Sequence, residues 1–157
     1  MVEPPDVPPE VIGAAGAVRL EGAPLSVPLE VGGVSREFVR ARGGVDQPTR
    51  VFLSVSEIRG DADPGIGYAV YLNEPDDARL AGIVSFFGIR GTAEGAHSLG
   101  YAFDVTDIVQ ALRDADAWDP RRVDVLFEPI GTDAIGGLEA AAAVPAVEVG
   151  RISLLAQ

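Results

Sequence analysis

Eight short runs of alternating apolar and polar residues, separated by turn chemistry, restrict this chain to a β architecture. They are Leu25–Val31, Arg36–Arg40, Thr49–Arg59, Ile66–Asn73, Arg79–Phe87, Leu99–Val105, Arg122–Ile130 and Ala146–Ala156. Gly, Pro, Asn and Asp cluster between the runs, as turns require. In Thr49–Arg59, period two puts Val51, Leu53, Val55 and Glu57 on one face and Phe52, Ser54, Ser56 and Ile58 on the other. Tyr68, Val70 and Leu72 share a face in the next run, and Leu80, Gly82, Val84 and Phe86 in the one after. The expected fold is mainly β: an antiparallel, jelly-roll-like β-sandwich of about eight strands with one short α-helix. With 157 residues, one such domain can bury a sizeable core.

The helix is expected where the rhythm breaks. Val105, Ile108, Val109 and Leu112 recur at helical spacing. Asp104 or Thr106 can cap its start, and Pro120 lies just past its end. The helix should plug one end of the sandwich, with Trp118 beneath it. At the N-terminus, "MVEPPDVPPEVIGAA" holds four prolines in its first nine positions, so residues 1–15 read as a linker or arm. The single β-sandwich domain is expected over residues 16–157.

Charge and composition exclude several functions. A formal net charge of −12 repels phosphate backbones and anionic lipid surfaces, which excludes nucleic acid and membrane partners. No apolar run reaches the roughly 18 residues of a membrane span, and no signal-peptide pattern opens the chain. A soluble protein of unspecified compartment is expected. The chain has no cysteine, so disulfides and thiolate metal sites are absent.

Catalytic motifs are equally scarce. The one histidine, His97, sits in the loop "RGTAEGAHSLG" without the convergent ligands a metal site needs. No Gly-x-Ser-x-Gly elbow accompanies it, which leaves a hydrolase around His97 last among the readings. The glycine-rich pieces "GGVDQP" and "IGGLEA" match neither a P-loop nor a dinucleotide fingerprint. "DADPGIG" has oxygens at calcium-like spacing but lacks the closing Glu. The expectation is a non-enzymatic binding or shielding domain, with no metal or cofactor held by this chain.

The segment "GYAVYLNEPDDARLAGIVSFFGIRG" then poses a question. It is an apolar hairpin that ends in Phe86-Phe87 and a glycine-rich loop. Either all of it is core, or part of it covers something else.

The order of elements resembles a known family. "FLSVSEIRG" (Phe52–Gly60), "YAVYLNEP" (Tyr68–Pro75), "LAGIVSFFG" (Leu80–Gly88), "YAFDVTDIVQAL" (Tyr101–Leu112), "RVDVLFEPIG" (Arg122–Gly131) and "VEVGRISL" (Val147–Leu154) occur in sequence. That succession, over roughly Val18 to Leu155, is similar to the C-terminal shielding domain of the polyphenol oxidase and tyrosinase family. "PPEVIGAAGAVRLEG" (Pro8–Gly22) resembles the connector of its bacterial members. Ala69 stands where the family usually has Asp, and the loop after Phe87 keeps only Arg90 and His97 of the basic residues found in plant members.

The resemblance implies a domain that is not itself the oxidase. It packs over the dinuclear copper site of a catalytic domain and keeps that enzyme latent until displaced. Copper would belong to the partner, a tyrosinase-type copper domain in cis or in trans. Six histidines are needed for such a site, and this chain has one. The partner-facing candidates are Phe86, Phe87, Ile89, Arg90 and His97. The alternatives are a ligand-binding module, for example for carbohydrate, and a structural or assembly β-sandwich.

Overall fold

The computed structural model describes residues 10–30, 50–60, 62, 64–86, 89, 98–119, 122–131, 136 and 145–156. Nine strands are described: β1 (Glu10–Ala15), β2 (Val18–Leu20), β3 (Leu25–Leu29), β4 (Val51–Arg59), β5 (Gly67–Leu72), β6 (Leu80–Val84), β7 (Leu99–Asp104), β8 (Val123–Ile130) and β9 (Val147–Ala156). They form two antiparallel sheets, as expected of a β-sandwich. One has the order β1-β9-β4-β7, with β2 following β1 along the edge of β9; the other runs β3-β8-β5-β6. The expected strand at Arg36–Arg40 lies outside the described residues.

The inner faces follow from alternation. Val51, Leu53 and Val55 of β4, Ile152 and Leu154 of β9, Tyr68, Val70 and Leu72 of β5, and Val125 and Phe127 of β8 are all buried. Each fully buried aliphatic or aromatic side chain of this kind contributes about 1.5–3 kcal/mol.

Four expectations need correction. Residues 10–15 are not arm but strand: β1 pairs with β9 from Glu10↔Ala156 to Ala15↔Ile152. The physical reason is that the four N-terminal prolines all precede Glu10, so every residue of the 10–15 segment keeps a backbone donor. Ile58 is fully buried rather than outward. β4 and β9 each accommodate an extra residue at one level, where Glu57 is left-handed (φ 56°). The phase of both strands switches there, so their mutual register holds while the β4–β7 register slips between Val55 and Ile58. Gly150 permits this, since a Cβ on it would stand 2.7 Å from Glu57 Cβ.

Leu80 is the third correction. A bulge between Val70 and Tyr71 pairs Leu80 with Tyr71, on the opposite face from Gly82 and Val84. Phe86 lies past the end of β6, yet its ring is buried in the core with Val84 as expected. The fourth correction is the helix cap.

The helix α1 spans Thr106–Asp114 and buries Val109 and Leu112. Neither Asp104 nor Thr106 is its N-cap; Val105 is. Asp104 acts one step earlier, accepting from Thr106 N (3.0 Å) and Thr106 Oγ1 (2.6 Å). Thr106 Oγ1 in turn accepts from Val51 N at 2.9 Å, and Val105 N donates to Val51 O at 2.9 Å. These bonds tie the helix start to the start of β4. The helix ends in a Schellman motif: Ala117 N donates to Leu112 O (2.8 Å) and Asp116 N to Arg113 O (3.0 Å). Trp118, just beyond, is partly buried and packs against the core.

Both open edges of the sandwich are fastened. On one side Ala14 and Glu30 exchange backbone hydrogen bonds of 3.0 and 2.9 Å, which links β1 to the end of β3. On the other, the Tyr101 hydroxyl donates to Ser85 O (2.8 Å) and accepts from Ser85 N (3.3 Å), joining β7 to the end of β6.

Candidate docking surface

The chemistry of the side chains gives no sign of a reaction centre among the described residues. No group of three His, Cys, Asp or Glu converges there to hold a metal ion. Among the described residues two groups depart from their ordinary pKa, and both have structural partners. Burial, above all, pushes the Tyr68 phenol up; its oxygen accepts from Gly22 N at 2.7 Å, in the turn between β2 and β3. The hydrogen bonds from Thr106 hold the Asp104 carboxyl below the usual range, with Arg50 helping. No helix among the described residues is long and apolar enough to cross a membrane.

The five residues expected to face a partner divide in two. Phe87, Arg90 and His97 lie outside the described residues. Phe86 and Ile89 are 2% and 1% exposed. Phe86 stacks edge-on against Tyr68, with ring centroids 5.8 Å apart at 80°. Ile89 N donates to Phe86 O at 3.0 Å, and the turn so formed presses Ile89 Cδ1 to 3.0 Å from where a Cβ on Gly60 would stand. Side chains this buried present no surface to a partner in this conformation. Their contacts place them in the chain's own core.

Two of the three exposed large apolar side chains among the described residues lie on the outer face of the β3-β8-β5-β6 sheet. Cross-strand pairing builds one row from Ser26, Leu126, Tyr71 and Leu80, and a second from Glu128, Ala69 and Ile83. Ile83 is 53% exposed and Leu80 37%. Next to these rows, Pro24–Ser26, Pro75 and Leu126–Glu128 line a groove of about 250 Å³. At the end of the face, Asn73 takes a left-handed turn (φ 66°) and closes on β8: its Oδ1 accepts from Asp124 N at 2.9 Å, and its N donates to Asp124 O at 2.8 Å.

A signal for this face exists in the sequence. "AVYL", "GIV" and "VLF" are apolar at consecutive positions, and a strand wet on one side would alternate instead. The outer face of the other sheet is different. It carries charges of both signs, with Glu148 opposite both Arg19 and Arg59, and Arg151 nearby. Its one apolar row is Val11, Leu155 and Phe52.

Comparison with known proteins places this fold. Residues 8–157 match the family described as "Domain of unknown function (DUF7868)". No curated protein matches the chain in sequence. Among solved structures, recombinant latent aurone synthase, a polyphenol oxidase co-crystallized with hexatungstotellurate(VI) and soaked in H2O2, aligns with TM-score 0.54 and 15% identity over 89% of this chain and 25% of that one. Latent aurone synthase from its natural source aligns with TM-score 0.52 and 14% identity over 87% of this chain and 25% of that one. The chain thus spans about a quarter of the length of these structures.

Proposed function

We propose that this chain, which belongs to the DUF7868 family, is a non-catalytic cover for a tyrosinase-type copper domain, keeping that domain's dinuclear copper site closed to substrate. One observation carries the reading: nearly nine-tenths of the chain shares its fold with one quarter of an enzyme whose structure is that of a latent form. The order of sequence segments from Val18 to Leu155, similar to the C-terminal shielding domain of polyphenol oxidases and tyrosinases, supports it as well.

The physical logic is exclusion. A rigid sandwich with both edges fastened can block the mouth of a site without taking part in its chemistry. Copper would be held by the partner's histidines, and phenolic substrate would reach it only when this domain moves away. The carbohydrate-binding alternative is less well served. The exposed large apolar side chains among the described residues are Val11, Leu80 and Ile83, all aliphatic, and these suit a protein surface better than a sugar ring.

The test is copper content. The native gene product, or the complex it forms, should carry copper when purified through this domain, while the 157-residue chain alone should carry none. A native product free of copper after purification in copper-replete medium would contradict the proposal.

A further inference from the structure

We infer that the outer face of the β3-β8-β5-β6 sheet is the surface that seats against the copper domain, and that the copper domain meets it with apolar side chains flanked by arginine or lysine. The inference rests on the covering role proposed above and names the surface that performs it.

Three observations lead to it. First, the centre of this face is uncharged: half-buried Leu126 and Tyr71 and a buried Ala69 lie beside the exposed Leu80 and Ile83. Two of the three exposed large apolar residues among those described, Leu80 and Ile83, lie here. In a chain of net charge −12, a contiguous apolar face is costly to leave wet. Second, the charged side chains within its four strands have one sign; arginines stand just outside them, Arg79 before β6 and Arg122 before β8. Among the described residues, the only charged side chains at outward positions of these four strands are Asp124 and Glu128.

Third, neither carboxylate is in an ion pair among the described residues, whereas the ion pairs found there, Arg19–Glu21 and Arg50–Asp104, belong to residues in or beside the other sheet. An apolar centre beside carboxylates that have no ion-pair partner among the described residues is complementary to an apolar surface that brings its own cations. Apolar centres and polar rims of this kind are the usual anatomy of a specific interface. The groove beside Leu126 and Glu128 offers a seat for one protruding apolar side chain with a cation next to it.

The test is hydroxyl-radical footprinting of the intact native gene product, or its complex, against the 157-residue chain, read by mass spectrometry. Leu80, Ile83, Tyr71 and Leu126 should label in the 157-residue chain and lose most of that labelling in the intact form. Val11, Phe52 and Leu155 should label alike in both. Ile83→Asp should restore labelling at Leu80, Tyr71 and Leu126 in the intact form, and leave the melting temperature of the 157-residue chain unchanged. Protection confined to Val11, Phe52 and Leu155 overturns the inference and leaves the covering role standing. A native product that holds no copper domain removes the covering role, and the inference with it.

Discussion

A Cβ on Gly82 would stand 2.3 Å from two ring carbons of Phe103. Gly82 lies on β6 and Phe103 on β7, so this contact joins the two sheets at the edge that Tyr101 and Ser85 also fasten. Phe103 itself stacks on Tyr101, with centroids 5.9 Å apart at 12°. The edge closes because one residue has no side chain there. Gly82→Ala should therefore destabilise the chain by about 1–3 kcal/mol, the usual cost of overpacking. Adding Phe103→Leu should recover part of that loss in urea denaturation. An additive pair would mean that the loss does not come from the contact with Phe103.

The α1 C-terminus predicts a change of opposite sign. Asp116 occupies the left-handed position of the Schellman motif, with φ 53°. Glycine is the residue that takes this conformation without steric cost. Asp116→Gly should stabilise the chain by up to about 1 kcal/mol, and Asp116→Val should destabilise it by a similar or larger amount. Thermal melts of the two variants decide the matter.

The pH dependence has one term at each extreme. Tyr68 is raised from 10.0, so its neutral form is favoured in the folded state. Its contribution is fully present below pH 10.0 and is lost as pH rises from there through the folded value. Asp104 is lowered from 3.8, so its contribution is present above that pH and is lost as pH falls through the folded value. Tyr68→Phe should flatten the alkaline limb. It should also cost about 1–3 kcal/mol at neutral pH, because it leaves the buried Gly22 N–H without its acceptor. Asp104→Asn should flatten the acid limb. Urea midpoints measured across both ranges read each term.

Core and surface should separate cleanly in the hairpin. Phe86→Ala removes a ring that is 2% exposed and should cost about 3–5 kcal/mol. Ile83→Asp alters a side chain that is 53% exposed and should change the stability of the 157-residue chain by no more than about 0.5 kcal/mol. Equal losses for the two would mean that Ile83 is packed within this chain.

The strands were legible because alternation is a short-range property. Val51, Leu53 and Val55 face inward as their spacing requires. What a strict period of two cannot carry is an inserted residue. Glu57 and the bulge at Ala81 each move the next side chain to the opposite face, which is how Ile58 enters the core and Leu80 leaves it. β1 went unread because its glycine and alanines have little hydrophobic contrast, and prolines stand directly before it. Two of the candidate surface residues, Phe86 and Ile89, are buried for a related reason. Phe86 drew attention by its size, yet an aromatic ring at a strand end finds its partner, Tyr68, only through tertiary contact. The informative signal was the lack of alternation in "AVYL" and "VLF", where both faces are apolar.

The central claim is that this domain closes a copper site, and the direct measurement is the diphenol oxidase activity of the intact native gene product, or its complex, before and after this domain is severed and removed with copper retained. The account predicts low activity before removal and a marked rise after it. Activity that is already full before removal, or that does not rise after it, would contradict the account.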